Sequence, residues 1–266
     1  MKDRLDAILH ARGLATSRAQ AQALVLAGQV AVAGAVVTKA GTRIADDAEI
    51  VVTALPRYVS RGGDKLETAL RGFAWDVTGA LALDLGASTG GFSDCLLQHG
   101  AARVAAVDVG YGQLHPRIRG DDRVTVLERL NARALVAAAL PFTPDLLVAD
   151  VSFISLTLVL ESAIATLARP WRALVLVKPQ FEAGRDQVDR GGVIRDPTLR
   201  AAAIERVARY AGGLGAVAIG ALDTGHPGPA GNHEYLLALA SADHTAADDG
   251  HRRDPSDIAR DAVSAA

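Results

Sequence analysis

The chain has a single cysteine, Cys95, among 266 residues. That excludes an intramolecular disulfide framework and any zinc site made only of cysteines. Aromatic residues make up just 4%, and no stretch approaches the ~18 uninterrupted apolar residues of a membrane span. No apolar segment follows the opening Met1-Lys2-Asp3-Arg4, so no secretory signal is expected. The biased compositions of collagen, mucin-like and Gln-rich chains are missing as well. Formal net charge is small, at -2. What remains is half hydrophobic and long enough for one large domain or two unequal ones, with ample material for a core. The expectation is a reduced, soluble, cytoplasmic protein.

The small net charge hides an asymmetry: residues 1–65 sum to +3 and the remainder to -5. That is weak support for nucleic acid, because surfaces that grip phosphates are usually more basic. The pattern of residues 1–53 reads as a small α+β module. Leu5, Ile8 and Leu9 recur at helical spacing, Thr16 and Ser17 can cap a second helix through Leu26, and extended pieces follow at 29–32, 35–38 and 49–52. Residues 54–65 read as a junction, broken by Pro56 and loosened by Gly62-Gly63. From Leu66 onward, short apolar runs alternate with helical stretches, the signature of a parallel sheet covered on both faces. Seven strands are expected, at 81–84, 103–108, 124–127, 146–150, 174–178, 217–222 and 234–239. The final residues are poor in large apolar side chains and read as a disordered tail.

The first of these strands runs into Asp84-Leu85-Gly86-Ala87-Ser88-Thr89-Gly90-Gly91-Phe92-Ser93. Glycines there let the backbone turn sharply and approach a ligand, and the helix that follows should aim free N–H groups into the crevice at the strand ends. Asp108 ends the second strand, where an acid can accept hydrogen bonds from ribose hydroxyls. The glycine spacing, Gly86-x-x-x-Gly90-Gly91, departs from the dinucleotide fingerprint, and Asp84 would repel a pyrophosphate. Both suit a nucleoside ligand carrying an amino group and a sulfonium.

Four groups could do chemistry at that rim. Asp150 ends the fourth strand. Lys178 ends the fifth and precedes Pro179, which biases it toward an extended conformation. Glu234 opens the last strand, and Lys65 heads the first helix of the large domain. A ribose hydroxyl is a poor acid, and a lysine beside cationic neighbours or partly desolvated can act as its general base. Lys178 is the candidate base. Asp150 and Glu234 would orient the ammonium groups, with Lys65 tuning Lys178 or positioning the sugar. Methylation at a pyrimidine C5 needs a nucleophilic cysteine, and Cys95 sits inside a helix where packing is the expected role. Exocyclic amines call for an Asn/Asp-Pro-Pro-aromatic turn, whereas the chain has Asp150-Val151-Ser152-Phe153. Oxygen methylation fits best. Phe153 is expected to stack on the adenine or line the target pocket, with a plain core position as the alternative.

Five segments together resemble one family. They are Val59-Ser60-Arg61-Gly62-Gly63-x-Lys65-Leu66, Asp84 through Asp94, Asp150-Val151-Ser152-Phe153-Ile154-Ser155, Val177-Lys178-Pro179-Gln180-Phe181-Glu182 and Gly231-Asn232-x-Glu234. In this order they resemble the TlyA family of bacterial rRNA methyltransferases, some members of which are labelled hemolysin A. The resemblance implies an S4 RNA-binding domain at 1–55, a linker at 56–64, and an FtsJ-like domain at 65–242. The last would be an α/β, Rossmann-like, seven-stranded S-adenosylmethionine-dependent methyltransferase domain. The tail would be 243–266. The resemblance also implies 2′-O-methylation of cytidine in 16S and, in the longer type, 23S rRNA, with ribosomal RNA or subunits as partners. The family's Lys-Asp-Lys-Glu tetrad falls on Lys65, Asp150, Lys178 and Glu234. S-adenosylmethionine contacts fall on Asp84, Gly86, Ser88, Gly90, Gly91, Asp108, Asp150 and Phe153. RNA contacts fall on Arg4, Arg18, Lys39 and Arg61. Where some members carry Trp before Val-Ser-Arg-Gly, the chain has Tyr58.

Arg4, Arg12 and Arg18 on the small module's helices, with Lys39 and Arg43 after its strands, would grip phosphates and shape rather than read bases. Three other readings compete. An RNA-binding assembly factor without chemistry is opposed by the intact tetrad. A membrane-active cytolysin is opposed by the want of a span or a basic amphipathic helix. A nucleotide-dependent oxidoreductase is opposed by the glycine spacing and Asp84.

Overall fold

The computed structural model describes residues 2–15, 17–53, 57–184, 188, 191–244 and 253–266. The chain divides into two compact units, Met1–Arg57 and Tyr58–Ala266. Thr16, the Ala54-Leu55-Pro56 part of the expected junction and residues 245–252 of the expected tail lie outside the described residues.

The small unit runs β1 (Lys2–Arg4), α1 (Leu5–Ala11), α2 (Arg18–Leu26), β2 (Val30–Val32), β3 (Ala35–Val36), β4 (Arg43–Ala45) and β5 (Ile50–Val52). Ser17 caps α2, its side chain accepting from the Gln20 N–H. β3, β2 and β5 form one antiparallel sheet, and β1 pairs with β4 in a second that the sequence pattern does not announce. Leu5, Ile8 and Leu9 bury against Ala21, Leu24, Val25, Val30 and Ile44, the core that the helical spacing predicts.

In the large unit the order is α3 (Arg61–Gly72), β6 (Leu81–Leu85), α4 (Gly91–Gln98), β7 (Arg103–Asp108), α5 (Pro116–Arg119), β8 (Val124–Glu128) and β9 (Leu146–Ala149). Then come α6 (Leu160–Ile164), β10 (Arg172–Val177), α7 (Pro179–Glu182), α8 (Pro197–Gly213), β11 (Ala216–Asp223), β12 (Tyr235–Ser241) and α9 (Pro255–Ser264). All seven expected strands form, with slightly shifted ends, in one sheet ordered β11-β12-β10-β9-β6-β7-β8. From β6 the chain steps outward through β7 and β8, then returns to place β9 on the other side of β6. The loops after β6 and β9 therefore face each other across the switch point where open α/β sheets hold ligands. Two cores cover the sheet. Leu83, Leu85 and Leu147 face α6, α8 and α9, while Ala82, Val104 and Val148 face α3 and α4.

Three expectations need correction. The sheet is not wholly parallel: β12 runs antiparallel to both β10 and β11. It follows β11 through a loop with no crossover helix, which only an antiparallel pairing allows. The linker expected at 56–64 is not a free connection. Tyr58 is buried in the large unit's core and α3 already starts at Arg61. The glycines expected to bend the chain instead let helix ends approach: a Cβ on Gly63 would lie 2.2 Å from the Tyr58 ring, and one on Gly91 would lie 2.9 Å from the Gly63 nitrogen. The tail expected to be disordered carries α9 over its described part. Asp254 caps it by accepting from the Ser256 N–H at 2.8 Å, and Pro255 occupies the first turn. Ile258, Ala259 and Ala262 form a narrow apolar face in the same core as Ala203, Val207 and Ala211 of α8. Small side chains on both helices permit close packing, so a composition poor in large residues still buries a face.

Candidate active site

Strand ends place the site. Leu85 and Ala149 are register partners, so Gly86 and Asp150 leave the sheet side by side. Gly86 has φ +83, and a Cβ there would lie 2.5 Å from the Asp150 carbonyl oxygen. Only glycine lets these two loops lie so close. Val177 is opposite Tyr235, so the reversal of β12 brings Glu234 to the rim where β10 delivers Lys178. Lys178 is extended, at φ -110 and ψ 101, as the following Pro179 requires.

At the floor of the cleft lie two ion pairs. The Lys178 Nζ is 2.5 Å from Asp150 Oδ1 and donates to Ser152 Oγ at 2.7 Å. The Lys65 Nζ donates to Glu234 Oε2. Lys65, Lys178 and Glu234 are buried, at 8%, 8% and 2% exposure. All four, with Ser152, line one cleft, and Arg61 and Gly91 stand on its wall. Burial of two ammonium groups is tolerable because each has a carboxylate partner. Ser152 is a site residue that the sequence reading did not single out. A loop serine carries no signal until the direction of the lysine beside it is known.

Gly86, Ser88, Asp150 and Ser152 also line an adjoining hollow that extends past Asp108 to Val109, Leu130, Asn131 and Phe153. The Asp108 carboxylate accepts from the N–H groups of Ser88 and Gly110, both at 2.7 Å, which fixes its orientation at the hollow. Phe153 is 91% exposed with φ +64, its ring 5.2 Å from that of Phe181. It is no core residue. Holding a non-glycine residue there costs about 1–3 kcal/mol, so its loop must be anchored. Glu182 supplies the anchor, accepting from Ser155 Oγ at 2.6 Å and the Leu156 N–H at 2.7 Å. Burial pushes the Glu182 carboxyl up, against the lowering effect of those donors.

Asp84 and Gly90 lie elsewhere than expected. Strand alternation points Asp84 with Ala82 toward α4, not into the cleft. There it is fully buried and accepts from the Ser93 N–H at 3.0 Å and Ser93 Oγ at 2.6 Å. The first turn of α4 thus directs the Ser93 N–H to Asp84 rather than to the crevice. Among the described residues, Oδ1 of Asp84 has no hydrogen-bond partner. Burial pushes this carboxyl up to about 7; Ser93 opposes the rise, and the charges of Asp150 and Asp108 add to it. Gly90, at φ +91, packs against Leu114 and Ile118.

The FtsJ-like methyltransferase model matches residues 58–241, and the S4 domain model matches residues 3–50. A Mycobacterium tuberculosis protein named 16S/23S rRNA (cytidine-2'-O)-methyltransferase TlyA is 50% identical over 238 residues, 89% of each chain. The chain belongs to the TlyA family. Hemolysin A of Brachyspira hyodysenteriae, 44% identical, aligns over 74% of this chain and 82% of its own. A solved Streptococcus thermophilus structure carrying a hemolysin label superposes with a TM-score of 0.75 at 37% identity, covering 99% of this chain and 95% of that one. This TlyA-family chain is therefore a methyltransferase with an S4 RNA-binding domain, and its methyl donor is S-adenosylmethionine. The hollow fits that donor. It offers the Asp108 carboxylate for ribose hydroxyls, apolar Val109 and Leu130 for a purine, and a glycine turn at Gly86 that admits close backbone approach. Among the described residues no helix is long and apolar enough to cross a membrane, and no cluster of His, Cys, Asp and Glu could hold a metal ion.

Proposed function

We propose that this chain methylates the ribose 2′-oxygen of cytidine in ribosomal RNA, in 16S and 23S molecules, within the cytoplasm. The observation that carries the reading is the gathering of Lys65, Asp150, Lys178 and Glu234 on one cleft next to the donor hollow. The activity for which the Mycobacterium tuberculosis relative is named supports the choice of substrate. When bound, the donor supplies a methyl group already activated on a sulfonium. The protein's task is then to place the hydroxyl and remove its proton. Lys178 takes that proton only as the neutral amine, so the ammonium that pairs with Asp150 here first gives one up to solvent. Asp150 and Ser152 hold its Nζ in place, and the Lys65–Glu234 pair fixes a second ammonium that orients the sugar oxygen. Asp108, Ser88 and Gly86 hold the donor nucleoside. Phe153 offers a solvent-facing ring to a base or to adenine. Arg61, at the cleft wall, faces the RNA backbone, and Arg4, Arg18 and Lys39 grip phosphates from the small unit.

The test is ribose-methylation mapping of rRNA from cells with and without the protein, together with methyl transfer by the purified chain. Lys178→Ala is expected to abolish transfer while S-adenosylmethionine binding stays nearly intact. Full activity in that variant would remove Lys178 from the mechanism. Tight RNA binding with no methylation of any rRNA would favour a non-catalytic assembly factor instead.

A further inference from the structure

The small unit buries an acid where an anion-binding module should least tolerate one. Asp6, in the first turn of α1, is fully buried. Such a carboxylate is costly unless donors surround it. Arg4 donates Nε to Oδ1 and Nη2 to Oδ2, both at 3.0 Å, in a two-point fork. Gln22 Nε2 donates to Oδ2 at 2.8 Å from α2, and Arg18 Nη2 stands 3.5 Å from Oδ1. The Arg4 fork holds the carboxyl well below the usual carboxylate range in spite of burial. Both guanidinium side chains nonetheless remain about half exposed, at 47% and 55%. The turn that begins at Lys39 closes on the same group. The N–H groups of Leu5 and Asp6 donate to the carbonyls of Thr42 and Ala40, and a Cβ on Gly41 would lie 3.3 Å from Arg4 Nη1. Arg12, by contrast, is committed to the backbone carbonyls of Asp46 and Ala48.

We propose that Asp6 is a positioning residue for RNA docking: it aims the exposed N–H groups of Arg4 and Arg18 at phosphate oxygens. The proposal rests on the reading of the small unit as the RNA-docking element. Its force lies in the sign of the effect. Asp6 reduces the positive charge of the patch, so on counterion release alone its removal would tighten RNA binding. Positioning demands the reverse, because a guanidinium held at its base gives up less rotamer freedom when it meets a phosphate.

The experiment uses the full chain and deproteinised rRNA from cells lacking the modification. Dissociation constants and KM for that RNA are measured for wild type, Asp6→Asn, Arg4→Lys, the double variant Arg4→Ala/Arg18→Ala, and the triple variant that adds Asp6→Asn. Asp6→Asn is expected to weaken binding roughly tenfold and to raise KM by a like factor, with kcat at saturating RNA retained. Arg4→Lys keeps the charge and loses the fork, leaving the buried Asp6 carboxylate to Gln22 and a single ammonium; with an unchanged circular dichroism spectrum confirming the fold, it is expected to weaken binding several-fold. In the background without the two arginines, Asp6→Asn should add nothing. If Asp6→Asn or Arg4→Lys leaves affinity unchanged or improves it while the double variant binds poorly, the positioning role is overturned and the docking reading survives. A loss from Asp6→Asn that persists in full without the arginines would make Asp6 merely structural. If the double variant binds rRNA like wild type, the docking reading itself falls, and the proposal with it.

Discussion

Asp84→Asn tests how the buried carboxyl beneath the glycine loop titrates. In the folded chain this group titrates near 7, raised chiefly by burial, against an ordinary 3.8. A rise of about 3 units corresponds to on the order of 4 kcal/mol. The sign follows from proton counting. Between the two values the folded state keeps a proton that the unfolded chain has lost. The contribution of Asp84 to stability is therefore greatest below about pH 4 and declines as pH rises toward 7, with a slope approaching ~1.4 kcal/mol per pH unit. Asparagine cannot titrate, so the variant escapes that decline. It bears a fixed handicap instead: the side chain's second polar atom, which at Oδ1 has no hydrogen-bond partner among the described residues, becomes an amide nitrogen costing roughly 1–3 kcal/mol at every pH. The variant should be the less stable protein at pH 4.5 and the more stable one at pH 8. With roughly 2–4 °C of melting temperature per kcal/mol for a unit of this size, the swing is about 8–16 °C. Urea or thermal unfolding of both proteins across that pH range measures it. Curves that stay parallel, separated by a constant offset, would refute the reasoning and mean that Asp84 is ionised in the folded chain throughout.

Glu234→Gln leaves the buried Lys65 ammonium without its carboxylate, at a cost of roughly 3 kcal/mol or a melting temperature lower by about 6–12 °C. Lys65→Met/Glu234→Leu should recover most of that loss, and a single variant that melts within about 2 °C of wild type would mean that the pair is well solvated. Ile258→Ala should cost about 2 kcal/mol by opening a cavity between α9 and α8, seen as a lower urea midpoint; an unchanged midpoint would mean that α9 contributes nothing to the core.

Much of the architecture was legible because its signals are local. Apolar runs announced the strands, and the glycine turn after Asp84 marked the rim where ligands bind. Asp150 and Lys178 could be placed because each closes such a run. Other features were hidden because they arise from relations between distant segments. Which lysine meets which acid depends on the order and direction of strands, and the inverted β12 that seats Glu234 beside β10 left no mark in the periodicity. Asp84 looked like a ligand group because it ends an apolar run at a glycine loop, yet the two-residue repeat of a strand turns it to the helix side. Ser152 and Glu182 became meaningful only once their neighbours had directions. The helix near the C-terminus escaped notice because alanine buries a face without raising hydrophobicity much.

The inverted last strand also governs when the site comes into being. Lys65 is made early and its partner Glu234 lies 169 positions later, so the pair cannot close until nearly the whole chain has been synthesised. β12 also lies inside the sheet between β10 and β11 with its apolar side chains in both cores, so a polypeptide ending before it lacks a central strand as well as one of the two charge pairs on the cleft.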